Sequence, residues 1–173
     1  MNARKYIEEA LIGLLKTKSI DKIKVSEVIR EVGTCKGTFY KYYCDKYELL
    51  QRCFENRVYA KATGGDFEIF MRRCLEEFAK IPEATVNAFD SKDVNSLKFY
   101  HEALIVSRLK ARSEEIGISI GRTEMMSMQI CAAGCTELML HWLKTGTKES
   151  VDELIEYMSA ALPRAIGTAV AVG

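Results

Sequence analysis

Val25, Val28, Ile29 and Val32 recur at the three- and four-residue spacing of one helical face, and the pattern stops at Gly33. Upstream, Ala3, Ile7, Ala10, Leu11, Leu14 and Leu15 mark a longer helix over residues 3–16. Thr17 to Lys24 is a short polar connection anchored by Ile20 and Ile23. Beyond Gly33 a third helix is expected from about Lys36 to Tyr43. A supporting helix followed by two short ones and a tight glycine turn is the sequence outline of a helix-turn-helix.

The rest of the chain also reads as helical. Asp45 is an expected N-cap, with Glu48 as its capping-box partner, for a helix running to about Ala62. Gly64-Gly65 is the clearest break, and a domain boundary is placed there. Helices are then expected over 66–81, 82–89, 94–115 (capped by Asp93) and 122–144. A last one opens at Thr147 or Lys148, and Pro163 kinks or ends it. No stretch alternates long enough for a convincing strand, and only 2 Pro and 11 Gly interrupt 173 residues. The expected class is all-α: residues 1–50 form a helix-turn-helix domain, helix 4 continues as a connector, and 63–173 form a second helical domain.

The third helix can be resolved into faces. At about 100° per residue, Phe39 and Tyr43 point inward, while Gly37, Thr38 and Lys41 lie roughly opposite. Such a second short helix enters a DNA major groove. Gly37 permits close approach, and Thr38 and Lys41 can reach base edges. Lys36, Tyr40 and Tyr42 are placed to hydrogen-bond phosphates, which set register without reading sequence. Lys46 adds its charge to the free N–H groups of the next helix, a further expected phosphate contact. The formal net charge of +1 looks wrong for such a role, but it is an average. Residues 1–60 hold 12 Lys and Arg against 8 Asp and Glu, a net +4, and residues 61–173 carry a net −3.

The segments Val25-Ser26-Glu27-Val28-Ile29-Arg30-Glu31-Val32-Gly33, Lys36-Gly37-Thr38-Phe39-Tyr40-Lys41-Tyr42-Tyr43 and Asp45-Lys46-Tyr47-Glu48-Leu49-Leu50 resemble the DNA-binding domain of the TetR family of bacterial transcriptional regulators. The resemblance covers about the first 50 residues; the remainder is similar only in helical plan. Lys24, Ile29, Val32, Thr34 and Cys35 depart from the family pattern, and Cys35 replaces a serine that would cap the recognition helix. The resemblance implies a homodimer on a roughly palindromic double-stranded operator, with a small-molecule effector of unknown identity bound in the second domain. Release of DNA on effector binding, and hence repression, is the precedent. Activation, an interaction protein on the same scaffold, and a thiol- or metal-responsive regulator stay open as alternatives.

The second domain offers its own signals. The helix 122–144 is apolar over much of its circumference, which calls for cover on more than one side. Cys131, Gly134, Leu138 and Trp142 on it, with Leu154, Tyr157, Met158 and Leu162 on the last helix, are the expected dimer interface. Phe67, Phe70, Tyr100, His101, Leu104, Arg108 and Met128 are the candidate effector contacts. His101 and Arg108 supply the polar groups, and their seven-residue spacing puts them on one side of a helix.

Other classes have little support. Cys131 and Cys135 stand one helical turn apart, but a zinc site needs about four ligands and the chain has 2 His. No GxGxxG, GxxxxGK[ST] or HExxH occurs, and Gly117-Ile118-Ser119-Ile120-Gly121, though it has GxSxG spacing, lies between charged segments and reads as a loop, so no catalytic residue, metal site or cofactor is expected. The charged start Met1-Asn2-Ala3-Arg4-Lys5-Tyr6 does not read as a signal peptide, and no apolar run reaches bilayer length. A cytoplasmic protein with mostly reduced cysteines and no membrane contact is expected.

Overall fold

The computed structural model describes residues 3–64, 66–163 and 166, and among them only helices and turns occur. The elements are α1 (Ala3–Leu15), α2 (Val25–Val32), α3 (Lys36–Tyr40), α4 (Lys46–Phe54), α5 (Phe67–Phe78), α6 (Pro82–Phe89), α7 (Leu97–Glu115), α8 (Arg122–Lys144) and α9 (Val151–Ala160). A 3-10 turn, Ile20–Lys22, precedes α2. A π-helical turn, Glu55–Tyr59, prolongs α4. Gly65, part of the expected domain break, lies outside the described residues, as do Met1, Asn2, 164, 165 and 167–173 of the expected terminal domains.

The chain divides into two compact units. One holds the residues up to Lys61 together with Phe78–Tyr100; the other holds Ala62–Glu77 and the residues from His101 onward. The first unit contains the helix-turn-helix. Its core takes Ile7, Leu11 and Leu15 from α1, Ile20 and Ile23 around the 3-10 turn, Val28, Phe39, Tyr43 and Leu49. Burial of these apolar side chains drives the assembly of helices too short to persist alone. Gly33 ends α2 in the left-handed region at φ 66°, with its N–H on the Arg30 carbonyl. A side chain there would be strained, so the turn demands glycine.

α6 joins this unit, which the sequence pattern did not indicate. Asn87 Nδ2 donates to the Leu15 carbonyl at 2.8 Å, satisfying an open end of α1. Ser91 Oγ and Tyr47 Oη both donate to Asp21 Oδ1, at 2.6 and 3.0 Å. These bonds hold the Asp21 carboxyl below its ordinary range, the Ser91 hydroxyl contributing most.

Several expected boundaries move for local reasons. α3 is helical only to Tyr40, yet Tyr43 keeps its i−4 bond to Phe39 and is buried as expected. Asp93 does not open α7. Its carboxylate accepts from the Asn95 N–H in a turn, Val94 is exposed, and the helix begins at Leu97. α9 starts at Val151 because Ser150 caps it: Ser150 Oγ accepts from the Glu153 N–H and Glu153 Oε2 from the Ser150 N–H. Pro82 stands in the first turn of α6, where its missing N–H costs no helical bond.

Candidate nucleic-acid interface and the cluster in the second unit

α3 presents the faces that its spacing predicts. Phe39 is fully buried, with ring contacts to Tyr40 at 5.3 Å and Tyr43 at 5.8 Å. Lys36, Gly37, Tyr40, Lys41 and Tyr42 are exposed, and Thr38 is half-buried. Tyr40 is 56% exposed although aromatic, so its ring stands available to a partner. Lys41 Nζ lies 5.8 Å from the Tyr42 ring. A Cβ built on Gly37 would meet nothing closer than Cys35 Sγ at 3.9 Å. The chain itself therefore has no steric need for glycine there, and the small residue leaves room on the outer side.

The helix start is altered by Cys35. No side-chain cap bond forms; Cys35 Sγ instead lies 3.3 Å from Thr38 Oγ1. This contact, aided by nearby amides, lowers the Cys35 thiol from its ordinary range. Cys44, beyond the other end of α3, is raised by the Glu48 carboxylate.

Lys46, an expected phosphate contact, lies against the turn before α2. Its Nζ donates to the carbonyls of Ile20, Asp21 and Ile23 at 2.8, 3.0 and 3.1 Å. The ammonium is engaged by the turn before α2, so in this structure the side chain braces the head. The adjacent N–H groups are engaged too: Asp45 Oδ1 accepts from Tyr47 N and Glu48 N, both at 2.8 Å. Glu48 reaches back to the Cys44 N–H at 2.7 Å, one residue earlier than the expected capping box.

In the second unit, His101 and Arg108 both lie against the ring of Phe70. The His101 ring stacks on Phe70 with centroids 6.3 Å apart and planes 26° apart. Arg108 Cζ lies 5.0 Å from the centroid of the same ring. Cys74, one turn beyond Phe70, is buried, and its thiol is pushed well above the ordinary range by that burial. Phe67 and Met128 are buried in this unit, and Leu104 is half-buried. Tyr100 departs from the expected set. It belongs to the first unit, where its hydroxyl donates to Glu55 Oε1 at 2.7 Å and its ring lies 5.6 Å from that of Tyr59.

His101 is fully buried, and burial alone pushes its imidazole down to about 3, from the ordinary 6.5. Between these values the unfolded chain takes up a proton that the folded chain refuses, so this residue makes stability rise with pH across that window. Unfolding midpoints measured from pH 4 to 7 should show a shallower dependence in His101→Gln than in the wild type. An unchanged slope would remove His101 from the account.

The expected dimer residues split by burial. Cys131, Trp142, Leu154 and Met158 are buried within the chain itself. Trp142 Nε1 donates to the Glu149 carbonyl at 2.9 Å, so its polar atom is also satisfied within the chain. Leu138 and Leu162 are half-buried, and Gly134 and Tyr157 are exposed. Ile130 is 74% and Met126 46% exposed, on the same α8 stripe as Gly134 at four-residue spacing. Burial could not be read from periodicity here, because α8 is apolar on more than one face. Cys131 and Cys135 are both buried, with sulfurs 4.0 Å apart. Among the described residues no group of three or more His, Cys, Asp or Glu could hold a metal ion, and no helix is long and apolar enough to cross a membrane.

A helix-turn-helix with an outward polar face, followed by an apolar helical body, defines a DNA-binding regulator of two-domain plan. Comparison with known proteins makes the class specific. Residues 65–164 match the TetR-type family model described as "Transcriptional regulator C-terminal region". The chain belongs to the TetR family of transcriptional regulators. A 50-residue stretch is 36% identical to the uncharacterized HTH-type transcriptional regulator YvdT of Bacillus subtilis (strain 168), covering 29% of this chain and 26% of that protein. The match thus spans about a quarter of that curated relative's length.

Solved structures share the fold. The dihydroxyacetone kinase operon activator DhaS superposes with a TM-score of 0.62 at 15% identity, over 92% of this chain and 93% of that one. The fatty acid degradation regulator FadR from Bacillus halodurans gives 0.61 at 16% identity, over 91% and 93%. A TetR transcriptional regulator from Rhodococcus sp. RHA1 gives 0.60 at 16%, over 93% and 94%.

Proposed function

We propose that the protein is an effector-responsive repressor that binds a palindromic operator as a homodimer. The observation that carries this reading is the exposed face of α3, where Lys36, Gly37, Tyr40, Lys41 and Tyr42 surround a fully buried Phe39. In a two-fold dimer, two such helices enter successive major grooves about 34–36 Å apart. The exposed stripe Met126, Ile130 and Gly134 on α8, with Tyr157 on α9, supports α8 and α9 as the dimer surface. Nothing lies within 4 Å of a Cβ built on Gly134, which suits close approach of a second helix there. The head is residues 1–50, α4 and its π-helical turn are the connector, and residues 63–173 are the sensing and dimerising domain. Phe67, Phe70, His101, Leu104, Arg108 and Met128 are the effector residues in this reading. The effector acts by its unequal affinity for the DNA-competent conformation and the alternative one.

Binding of the full chain to DNA flanking its gene, at two salt concentrations, tests the central claim. Lys41→Ala should weaken specific binding by about 1–3 kcal/mol and nonspecific binding far less. Lys36→Ala should weaken both and lower the salt slope by about one. Equal losses of specific and nonspecific binding in Lys41→Ala would overturn its base-reading role. The effector reading has a separate test. The small-molecule fraction of a lysate of the source cells is added to the protein–DNA complex, and release is expected.

A further inference from the structure

We propose that the effector is a monocarboxylate with an apolar or aromatic body, held through Arg108. This rests on the effector reading above and adds the chemical class.

Arg108 differs from the other arginines around it. Arg72 pairs with Asp152, Arg73 donates to the Thr63 carbonyl, and Arg112 pairs with Glu115. Arg108 is half-buried and has no carboxylate or carbonyl partner among the described residues. Its contact is the face of Phe70, which steadies the cation but accepts none of its N–H donors in the usual way. A guanidinium partly withdrawn from water and lacking a counter-ion gains more from an anion than an exposed one does. A carboxylate matches the planar fork of that donor set.

The surroundings set the charge and the body of the ligand. His101, on the same Phe70 ring, is held neutral by its burial, so the cluster offers one fixed positive charge and one imidazole. A single charge suits a monoanion, whereas phosphate groups are commonly met by several cations or by helix N–H groups. Phe70 and Cys74 on α5 and Ile105 and Leu109 on α7 are all buried in the same unit, so the surroundings of Arg108 are apolar and favour an apolar body. Residues 61–173 carry a net −3, so the domain as a whole does not attract anions, and capture must be local to Arg108.

The test uses the full chain with benzoate, 3-phenylpropionate and octanoate, their neutral amides, and phenyl phosphate. Affinity is read by calorimetry and action by release of operator DNA. At least one acid should bind about tenfold or more tighter than its amide and release DNA. Arg108→Gln should erase that preference, Arg108→Lys should retain part of it, and Arg112→Gln should behave as wild type. Should Arg108→Gln fold poorly, the acid-against-amide ratio in the wild type decides alone. The proposal is overturned if amides match the acids, if phenyl phosphate is preferred, if Arg108→Gln keeps the preference, or if no acid binds. Release of DNA by an amide alone would leave the effector reading standing and remove only the class.

Discussion

Phe78→Ala should lower the stability of the protein by about 3–5 kcal/mol, the range for deleting a buried phenyl ring. Phe78 is fully buried. Its ring meets Phe89 edge-on at 5.6 Å, Tyr59 edge-on at 6.2 Å and Phe54 at 6.1 Å. These partners come from α6, the π-helical turn and α4, so one ring joins the three elements that follow the helix-turn-helix in the first unit. Edge-to-face pairs add about 0.5–1.5 kcal/mol beyond burial, so the loss should sit in the upper part of the range. The Phe78 carbonyl also accepts from the Ile81 N–H at 3.1 Å, but alanine keeps that bond. Urea unfolding followed by helical circular dichroism measures the effect, and Phe78→Leu should recover most of it. Because Phe78 belongs to the same unit as α3, DNA binding should fail at temperatures where the wild type still binds. A loss below about 1 kcal/mol would mean that the site collapses around the gap and that the aromatic cluster is not a keystone.

Lys46→Ala should cost about 2–3 kcal/mol and leave the salt dependence of DNA binding unchanged. Hydrogen bonds from a charged donor contribute about 1.5–3 kcal/mol, and here one ammonium serves three carbonyls. The Ile20 and Ile23 carbonyls are part-buried, so water replaces the lost donor poorly. Lys46→Met keeps most of the apolar stem and should lose nearly as much, which separates the bonds from the packing. A phosphate-binding Lys46 would give the opposite pattern: little change in stability and a salt slope lower by about one. Unfolding curves and two-salt binding measurements on the same variant distinguish the two.

The contrast between Lys41 and Lys46 shows where legibility ends. Both are lysines near the ends of short helices in the basic head. Lys41 is exposed as its helical angle predicts, because that angle follows from its distance to Phe39 and Tyr43. Lys46 turns inward because carbonyls 23–26 residues upstream come within reach, and no local pattern records that meeting. The same holds for Tyr100 and His101. They are neighbours in the chain, yet about 100° of helical rotation separates them. One ring goes to Tyr59 and the other to Phe70. The start of α9 is a different case. The Ser150–Glu153 capping box was readable and simply outweighs the weaker signal at Thr147.

Periodicity, glycine placement and capping residues determined by themselves that the chain is all-helical and that α2 stops at Gly33. They also placed Phe39 inward and Lys41 outward, and ran α8 from Arg122 to Lys144. These are local properties, fixed by backbone geometry within one or two turns. Tertiary structure alone decided that residues 78–100 pack with the helix-turn-helix and that Lys46 braces the turn before α2. It also decided which flank of α8 is left uncovered. Each of those depends on which distant groups arrive at the same place. Burial and hydrogen-bond completion select that arrangement over the whole unit, and no single segment carries enough of either to show it.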